Sequence, residues 1–319
     1  MTQTNTMKTL RFGIEIEVVG IARATIADAV AQATGGMRRG SDYDPSVIDP
    51  QGRTWKVVYD GSLSTDRSGE IVSPLLTYAD LETVQTIVRT VREAGGKSDP
   101  SCGIHIHVDG STLDPKAIKN VIKMVAKQEK YIEAALGIAA SRLQQYCRPV
   151  NDEVLAAFDG AHEHSTLRRA WYQALGGSAT RYDRSRYHGL NLNSLFYRGT
   201  IEFRWFAFSS SVLHAGEVKT YVQFVLALVA AAKHKRGASR SRRDYTPESA
   251  KYDFRVFLLG LGLIGEEFKT ARHHLLKNLS GSTAWKRGRP TAAPSATAVA
   301  EDGNDSDDGG SPAPISQAA

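Results

Sequence analysis

One pattern occurs three times on separated segments of this chain: a short run in which apolar side chains alternate with charged or metal-binding ones. The runs are Phe12-Gly13-Ile14-Glu15-Ile16-Glu17-Val18, Gly103-Ile104-His105-Ile106-His107-Val108 and Thr200-Ile201-Glu202-Phe203-Arg204-Trp205. A period of two is that of a β-strand with one buried face. Each run therefore turns its apolar residues into a core and its chemical residues to the opposite side. If the three strands share a sheet, Glu15, Glu17, His105, His107, Glu202 and Arg204 converge on one surface. Carboxylates, imidazoles and a guanidinium gathered in this way suit a divalent cation and a phosphate.

Taken singly, each run has a plainer reading. Alternating glutamates on a half-exposed strand are usually a solvated face, although Glu has low β-propensity and two in one short strand call for a reason. Two histidines at i and i+2 face the same side of a strand, a common way to present imidazoles to a metal or phosphate. A second such pair, His162-Glu163-His164, lies in a polar segment and reads as surface. Glu202 and Arg204 are flanked by Phe203, Trp205 and Phe206. Burying them without partners is costly, so they either pair across strands or serve as a metal ligand and a phosphate clamp. Glu70 in Gly69-Glu70-Ile71-Val72-Ser73 sits in an ordinary-looking strand, and Arg186 precedes another as an anion holder or a loop ion pair.

The chain has 319 residues, 41% of them hydrophobic, enough for one large domain or two small ones. The longest apolar stretch, Val218 to Ala232, is interrupted by Lys219 and Gln223 and falls short of the roughly 18 residues a bilayer requires. Met1 to Lys8 lacks an apolar signal-peptide region. Two cysteines, Cys102 and Cys147, make neither a disulfide framework nor a zinc knuckle. The expectation is a reduced, cytoplasmic protein. Net charge is +6, and Pro290 to Ala319 holds five acidic and no basic residues, so the remainder carries +11. That balance suits anionic ligands. No dinucleotide or P-loop motif is present.

Along the chain, residues 1–9 read as a frayed lead-in, 25–33 as a helix and 36–54 as a loop. Strands are expected at 55–59 and 69–73, and a helix at 78–94. Asp114-Pro115 pairs an N-cap residue with a proline at the first helical position. The helix it opens carries Ile118, Val121, Ile122, Val125 and Ile132 on one face. Residues 189–195 and 200–206 read as a hairpin, followed by a helix at 215–232, a basic linker at 233–243, and helices near 248–259 and 264–279. Helices interrupt the strands irregularly, which favours an α+β fold: a mainly antiparallel sheet with helices packed on one face. From about residue 290 the composition is too polar to fold.

The order of the motifs is more specific than any one of them. A strand with Glu15 and Glu17 is followed by Asp60-Gly61-Ser62-Leu63 and Gly69-Glu70-Ile71-Val72-Ser73-Pro74. Then come Cys102-Gly103-Ile104-His105-Ile106-His107-Val108, Arg186 ahead of Leu190-Asn191-Leu192, and Ile201-Glu202-Phe203-Arg204-Trp205-Phe206. From about Leu10 to Ser280 this series resembles the amidoligase family, within the carboxylate–amine ligase superfamily that includes glutamine synthetase and glutamate–cysteine ligase. The resemblance implies a glutamine-synthetase-like catalytic domain over residues 10–285, between the lead-in and an acidic tail at 286–319. It implies an ATP-dependent ligase that forms an amide through an acyl phosphate. Glu15, Glu17, Glu70, His105 and Glu202 would bind Mg²⁺ or Mn²⁺, and Arg204 would contact the nucleotide's transferring phosphate. Arg186 would hold a substrate carboxylate or phosphate, and His107 would lie against nucleotide or substrate. Asn191 matches a family position without an assigned role. The implied partners are small-molecule or peptide carboxylates and amines. Compared with glutamine synthetase, Glu70 is the one clear later carboxylate, with Asp60 or Asp66 as helpers.

Two other classes compete. A zinc hydrolase using His105, His107 and a Glu needs a third His or Cys, and none is placed nearby. A nucleic-acid-binding protein using the basic body and residues 233–243 lacks interleaved aromatics and leaves three charged strand faces unexplained.

Overall fold

The structure is a computed structural model that describes residues 2–287. Apart from Lys286 and Arg287, the expected acidic tail lies outside the described residues. Eight strands form one sheet: β1 (Phe12–Val19), β2 (Met37–Gly40), β3 (Pro45–Ile48), β4 (Thr54–Val58), β5 (Ser68–Val72), β6 (Ile104–Asp109), β7 (Leu190–Asn191) and β8 (Thr200–Phe206). Their order is β2-β3-β4-β5-β1-β6-β8-β7, and every pairing is antiparallel. The three alternating runs are therefore β1, β6 and β8, adjacent to one another toward the β7 edge of the sheet. Ile14, Ile16, Val18, Ile104, Ile106, Val108, Ile201 and Phe203 are all buried.

The helices are α1 (Gln3–Thr9), α2 (Arg23–Thr34), α3 (Leu81–Glu93), α4 (Pro115–Leu136), α5 (Ala140–Gln145), α6 (Asp152–Asp159), α7 (His164–Leu175), α8 (Asn193–Arg198), α9 (Ala215–His234), α10 (Ala250–Gly260) and α11 (Lys269–Leu276). The core forms between the sheet and a helical layer in which α9 packs against α1, α3, α4 and α11, while α2 covers β3, β4 and β5. The expected α+β layout, an antiparallel sheet with its helices, is observed. Helix α9 is long and apolar enough to span a bilayer by length and composition, yet nearly all of it is buried in this core. The sequence reading made it too short because Lys219 and Gln223 interrupt it; Gln223 is buried and donates to the Tyr78 hydroxyl at 2.7 Å.

Local chemistry sets the boundaries. The Asp114 side chain accepts from Ala117 N at 2.7 Å, Pro115 opens α4, and Gly137 ends it in the left-handed region at φ 62°, where a glycine pays no Cβ penalty.

Several expectations are corrected. Residues 3–9 are no frayed lead-in: they form α1, with Met7 buried against the core and Thr6 bonded to His234 at 2.8 Å. Within 36–54 the expected loop contains β2 and β3. Their glycines, Asp44 and Pro45 look like turn residues, but Val47 is fully buried and fixes the pairing. The expected hairpin at 189–206 has only two residues in β7, and α8 makes the connection because Asn193 is tied down by Tyr172 and Thr180. The basic linker is a strap along α4: Arg242 pairs with Glu129 at 2.9 Å and Asp152 at 3.0 Å, Arg243 with Asp253 at 2.7 Å, and Arg240 with Asp159 at 3.2 Å.

Candidate functional site

On the sheet face away from the helical layer lies a cleft of about 580 Å³. Glu15, Glu17, Glu70, His105, Glu202, Arg186 and Arg204 all line it. Strand register explains the convergence. Glu17 lies opposite Glu70 across β1 and β5, Glu15 opposite His105 across β1 and β6, and Glu202 of β8 opposite both His107 and Asn191. The β6–β8 pairing slips between Ile104 and Ile106, so Arg204 and Trp205 together oppose His105. This is a β-bulge, which adds one residue to a strand and re-aims its side chains. The bulge also breaks the strict alternation, placing Phe206 opposite Ile104 and stacking it on Tyr221 of α9 at 4.6 Å.

Three groups of donors have ligand atoms within 4.8 Å of one another: Glu17/Asp60/Glu70, Glu15/Glu70/His105 and Glu15/His107/Glu202. Carboxylate oxygens with at most one imidazole per group fit Mg²⁺ or Mn²⁺, whereas structural zinc sites prefer Cys and His. Asp60 joins the site as the helper; Asp66 does not line the cleft.

The electrostatics follow from crowding. Burial, and then the charges of Glu15, Glu17 and Asp60, push the Glu70 carboxyl well above its ordinary range. Glu17 is raised chiefly by burial, although the Gly103 backbone N–H donates to it. Burial would raise Glu15 too, but the His105 and His107 imidazoles hold it well below the usual range. Glu202 is likewise lowered: burial opposes its charge, but Arg204 and then His107 outweigh that. Arg204 Nη1 donates to Glu202 Oε1 at 2.5 Å, and Asn191 Nδ2 donates to Oε2 at 2.5 Å. Asn191 is therefore an orienting group for a site carboxylate.

The cleft also holds cations. Arg142, Arg181, Arg186 and Arg198 line it together with Arg204, which stands on β8 two residues from Glu202. Arg198 approaches Glu15 at 3.7 Å; Arg142, Arg181 and Arg186 have no carboxylate partner among the described residues. The guanidinium of Arg186 sits 5.5 Å from the Tyr182 ring centroid and 4.7 Å from that of Tyr187, and its Nη2 donates to the Tyr187 hydroxyl at 2.8 Å, so the two tyrosines orient it. The Nε atoms of Arg142 and Arg186 are buried without an acceptor.

His107, expected against nucleotide or substrate, does not line the cleft; it is buried, with Nε2 3.3 Å from Glu15 Oε1 and Nδ1 3.0 Å from the Thr200 hydroxyl. His162 and His164 are exposed, as expected of a surface pair. Sequence reasoning missed Arg142, Arg181 and Arg198. Arg181-Tyr182 and Arg186-Tyr187 repeat an Arg-Tyr pair that signals the stacked wall, but nothing in the sequence around Arg142 marks it.

The fold and the cleft define a class: an α+β protein whose antiparallel sheet presents carboxylates and an imidazole in a cleft that arginines also line. The sequence model of a family described as "Putative amidoligase enzyme" matches residues 8–229, and the chain belongs to that family. No curated protein sequence matches it. Among solved structures, a bifunctional glutathione synthetase from Pasteurella multocida is similar, with a TM-score of 0.45 and 13% identity over 86% of this chain. The match covers 48% of that chain, so this protein spans about half its length.

Proposed function

We propose that this protein is an ATP-dependent carboxylate–amine ligase that works through an acyl phosphate on a glutamine-synthetase-like sheet. The observation that carries the reading is the meeting of both charges in one cleft. Glu15, Glu17, Glu70, His105 and Glu202 stand on the sheet with Arg204 among them, and Arg186 lines the same cleft. A carboxylate is inert toward amines until a better leaving group replaces its oxygen. In the proposed reaction a substrate carboxylate oxygen attacks the γ-phosphorus of ATP and ADP departs. The amine then attacks the acyl carbon, phosphate leaves, and the amine nitrogen gives up a proton.

Phosphoryl transfer spreads negative charge over the transferred group, so catalysis is mainly positioning and electrostatic stabilisation. Arg204 would meet that charge, and Arg186, pre-oriented by its two tyrosines, would hold a substrate carboxylate or phosphate. The five sheet residues would hold Mg²⁺ or Mn²⁺, which when bound neutralise phosphate charge. The cleft would also draw the reactants together and exclude bulk water.

The test is ADP and phosphate release with Mg²⁺ and ATP across paired acids and amines, with mass spectrometry of the products. Release is expected only when a carboxylate and an amine are both present, and Glu15→Ala and Glu202→Ala are expected to abolish it. Full activity in both variants, or no ATP binding in the presence of Mg²⁺, defeats the reading.

A further inference from the structure

Outside the cleft, three histidines gather where α11 packs on the first turn of α9. His214 is the N-cap of α9, and His273 and His274 are neighbours on α11. The His274 ring centroid lies 5.0 Å from that of His214 and 5.3 Å from that of His273. Two ring nitrogens also converge. The point where a Cβ on Gly216 would stand is 3.2 Å from His214 Nδ1 and 3.2 Å from His274 Nε2. Glycine is a poor helix residue, and in this first turn it keeps the space between the two imidazoles open. The other side of His274 faces a carboxylate. Its Nδ1 is buried without a hydrogen bond and lies 3.9 Å from Glu217 Oε1. Glu217 is itself buried, held by Lys277 Nζ at 2.7 Å and by Ser209 N at 3.1 Å. A carboxylate behind one ring nitrogen favours the proton there and leaves the lone pair on the other. Burial, with Lys277, His214 and His273 nearby, depresses His274 to about 4 although Glu217 opposes it, so the imidazole is neutral at neutral pH.

We infer that His214 Nδ1 and His274 Nε2, with His273 as a third donor, form a separate metal site that takes a borderline transition cation such as Zn²⁺. Zinc binds imidazole nitrogens tetrahedrally at about 2.0–2.1 Å, which sets the centroids of two ligating rings roughly 5 Å apart. That is the spacing of His214 and His274. Imidazole donors suit Zn²⁺ and its neighbours, whereas Mg²⁺ takes oxygen. Glu217 stands behind His274 as the carboxylate of a carboxylate–histidine–metal series, and Lys277, already paired with Glu217, adds no unmet charge. His214 and His273 are exposed, so the cation has a path from solvent. The bound ion would tie α11 to the start of α9. None of these residues lines the cleft, and the inference does not depend on ligase chemistry.

The test uses the full, untagged chain, stripped with chelator and then held in excess Mg²⁺ so that the oxygen-rich groups of the cleft are filled. Zn²⁺ is titrated by calorimetry, and Tm is followed with and without it. The wild type is expected to bind Zn²⁺ despite the Mg²⁺ and to gain Tm from it. His214→Ala removes one donor from an exposed position and is expected to weaken binding by about tenfold or more and to abolish the gain in Tm. Gly216→Ala keeps every histidine, but its Cβ takes the point between the rings and displaces the exposed His214 side chain. It is expected to lose Zn²⁺ to the same extent while remaining folded. His105→Ala, in the cleft, is expected to keep both the binding and the gain in Tm. No Zn²⁺ binding by the wild type, unchanged affinity in His214→Ala or Gly216→Ala, or loss of the binding in His105→Ala overturns the inference.

Discussion

Replacing Glu70 by Gln should stabilise the metal-free protein while destroying its function. Glu70 belongs to two of the three donor groups, so its charge is what two cations would share. Without cations the same charge is repelled: Glu70 oxygens lie within 4.8 Å of oxygens on Glu15, Glu17 and Asp60. At an effective dielectric of about 20, one such pair at that distance costs about 3.5 kcal/mol. Arg204 and water at the cleft mouth offset part of it, leaving a net gain of about 2 kcal/mol for the neutral amide. The gain must also depend on pH. Folding raises the Glu70 carboxyl, so above the unfolded value of about 4.3 the folded chain binds a proton that the unfolded chain has lost. Stability then falls with rising pH, by about 1.4 kcal/mol per unit, until the folded-state value is passed. Gln removes that slope. In chelator, differential scanning calorimetry should show Glu70→Gln with a Tm about 4–8 °C above wild type at pH 8, and the gap should close toward pH 4.5. With Mn²⁺ present the order should reverse, because only the wild type gains the binding energy. A variant less stable than wild type in chelator at pH 8, or a pH-independent gap, would refute the crowding argument.

Three further outcomes follow from single contacts. Asn191→Leu removes the donor to Glu202 Oε2, and Mn²⁺ affinity by calorimetry should fall about 10–100-fold; an unchanged affinity would deny Asn191 its orienting role. Gly189→Ala would place a Cβ 1.7 Å from the Trp205 indole nitrogen, and urea denaturation should register a loss of about 3 kcal/mol, the upper range for overpacking. Burial depresses His274 to about 4, so as pH falls from about 6.5 the unfolded chain takes up a proton that the folded chain refuses. Stability should decline between about pH 6.5 and 4, and His274→Gln should flatten that part of the Tm profile.

The faces of β1, β6 and β8 were legible because a period of two is a geometric statement about each residue. It predicted that Glu15, Glu17, His105 and Glu202 share a side, and all four line the cleft. Periodicity says nothing about depth. His105 and His107 leave one strand on the same side and are both buried, yet only His105 borders the cleft; His107 instead bonds the Thr200 hydroxyl, a partner from another segment. The bulge on β8 was equally hidden: Ile201-Glu202-Phe203-Arg204-Trp205 reads as regular alternation, and only its pairing with β6 shows the extra residue. Residues 189–193 alternate like a strand, but hydrogen bonds at Asn193 override local preference and wind α8. The arginines of the cleft were half legible. Arg186 precedes a recognisable strand, whereas Arg142 comes from a six-residue helix and reaches the cleft solely through tertiary placement.

Five carboxylates, Glu15, Glu17, Asp60, Glu70 and Glu202, and five arginines, Arg142, Arg181, Arg186, Arg198 and Arg204, line one cleft. The two sets balance in number, yet among the described residues only Glu202–Arg204 and Glu15–Arg198 meet as ion pairs. A cleft evolved to hold its fold together would pair such groups, since breaking a buried pair costs more than never forming it. Unpaired groups of both signs instead suit a pair of opposite ligands. Cations on the sheet relieve the crowding that raises Glu70 and Glu17, and they compete with Arg204 and Arg198 for their carboxylates. Both effects leave guanidinium groups more available to an anion, and an anion on the arginines in turn makes the sheet a better cation site. The coupling is reciprocal by linkage, so a site of this construction gains most from a ligand that brings both charges, such as a metal–nucleotide complex.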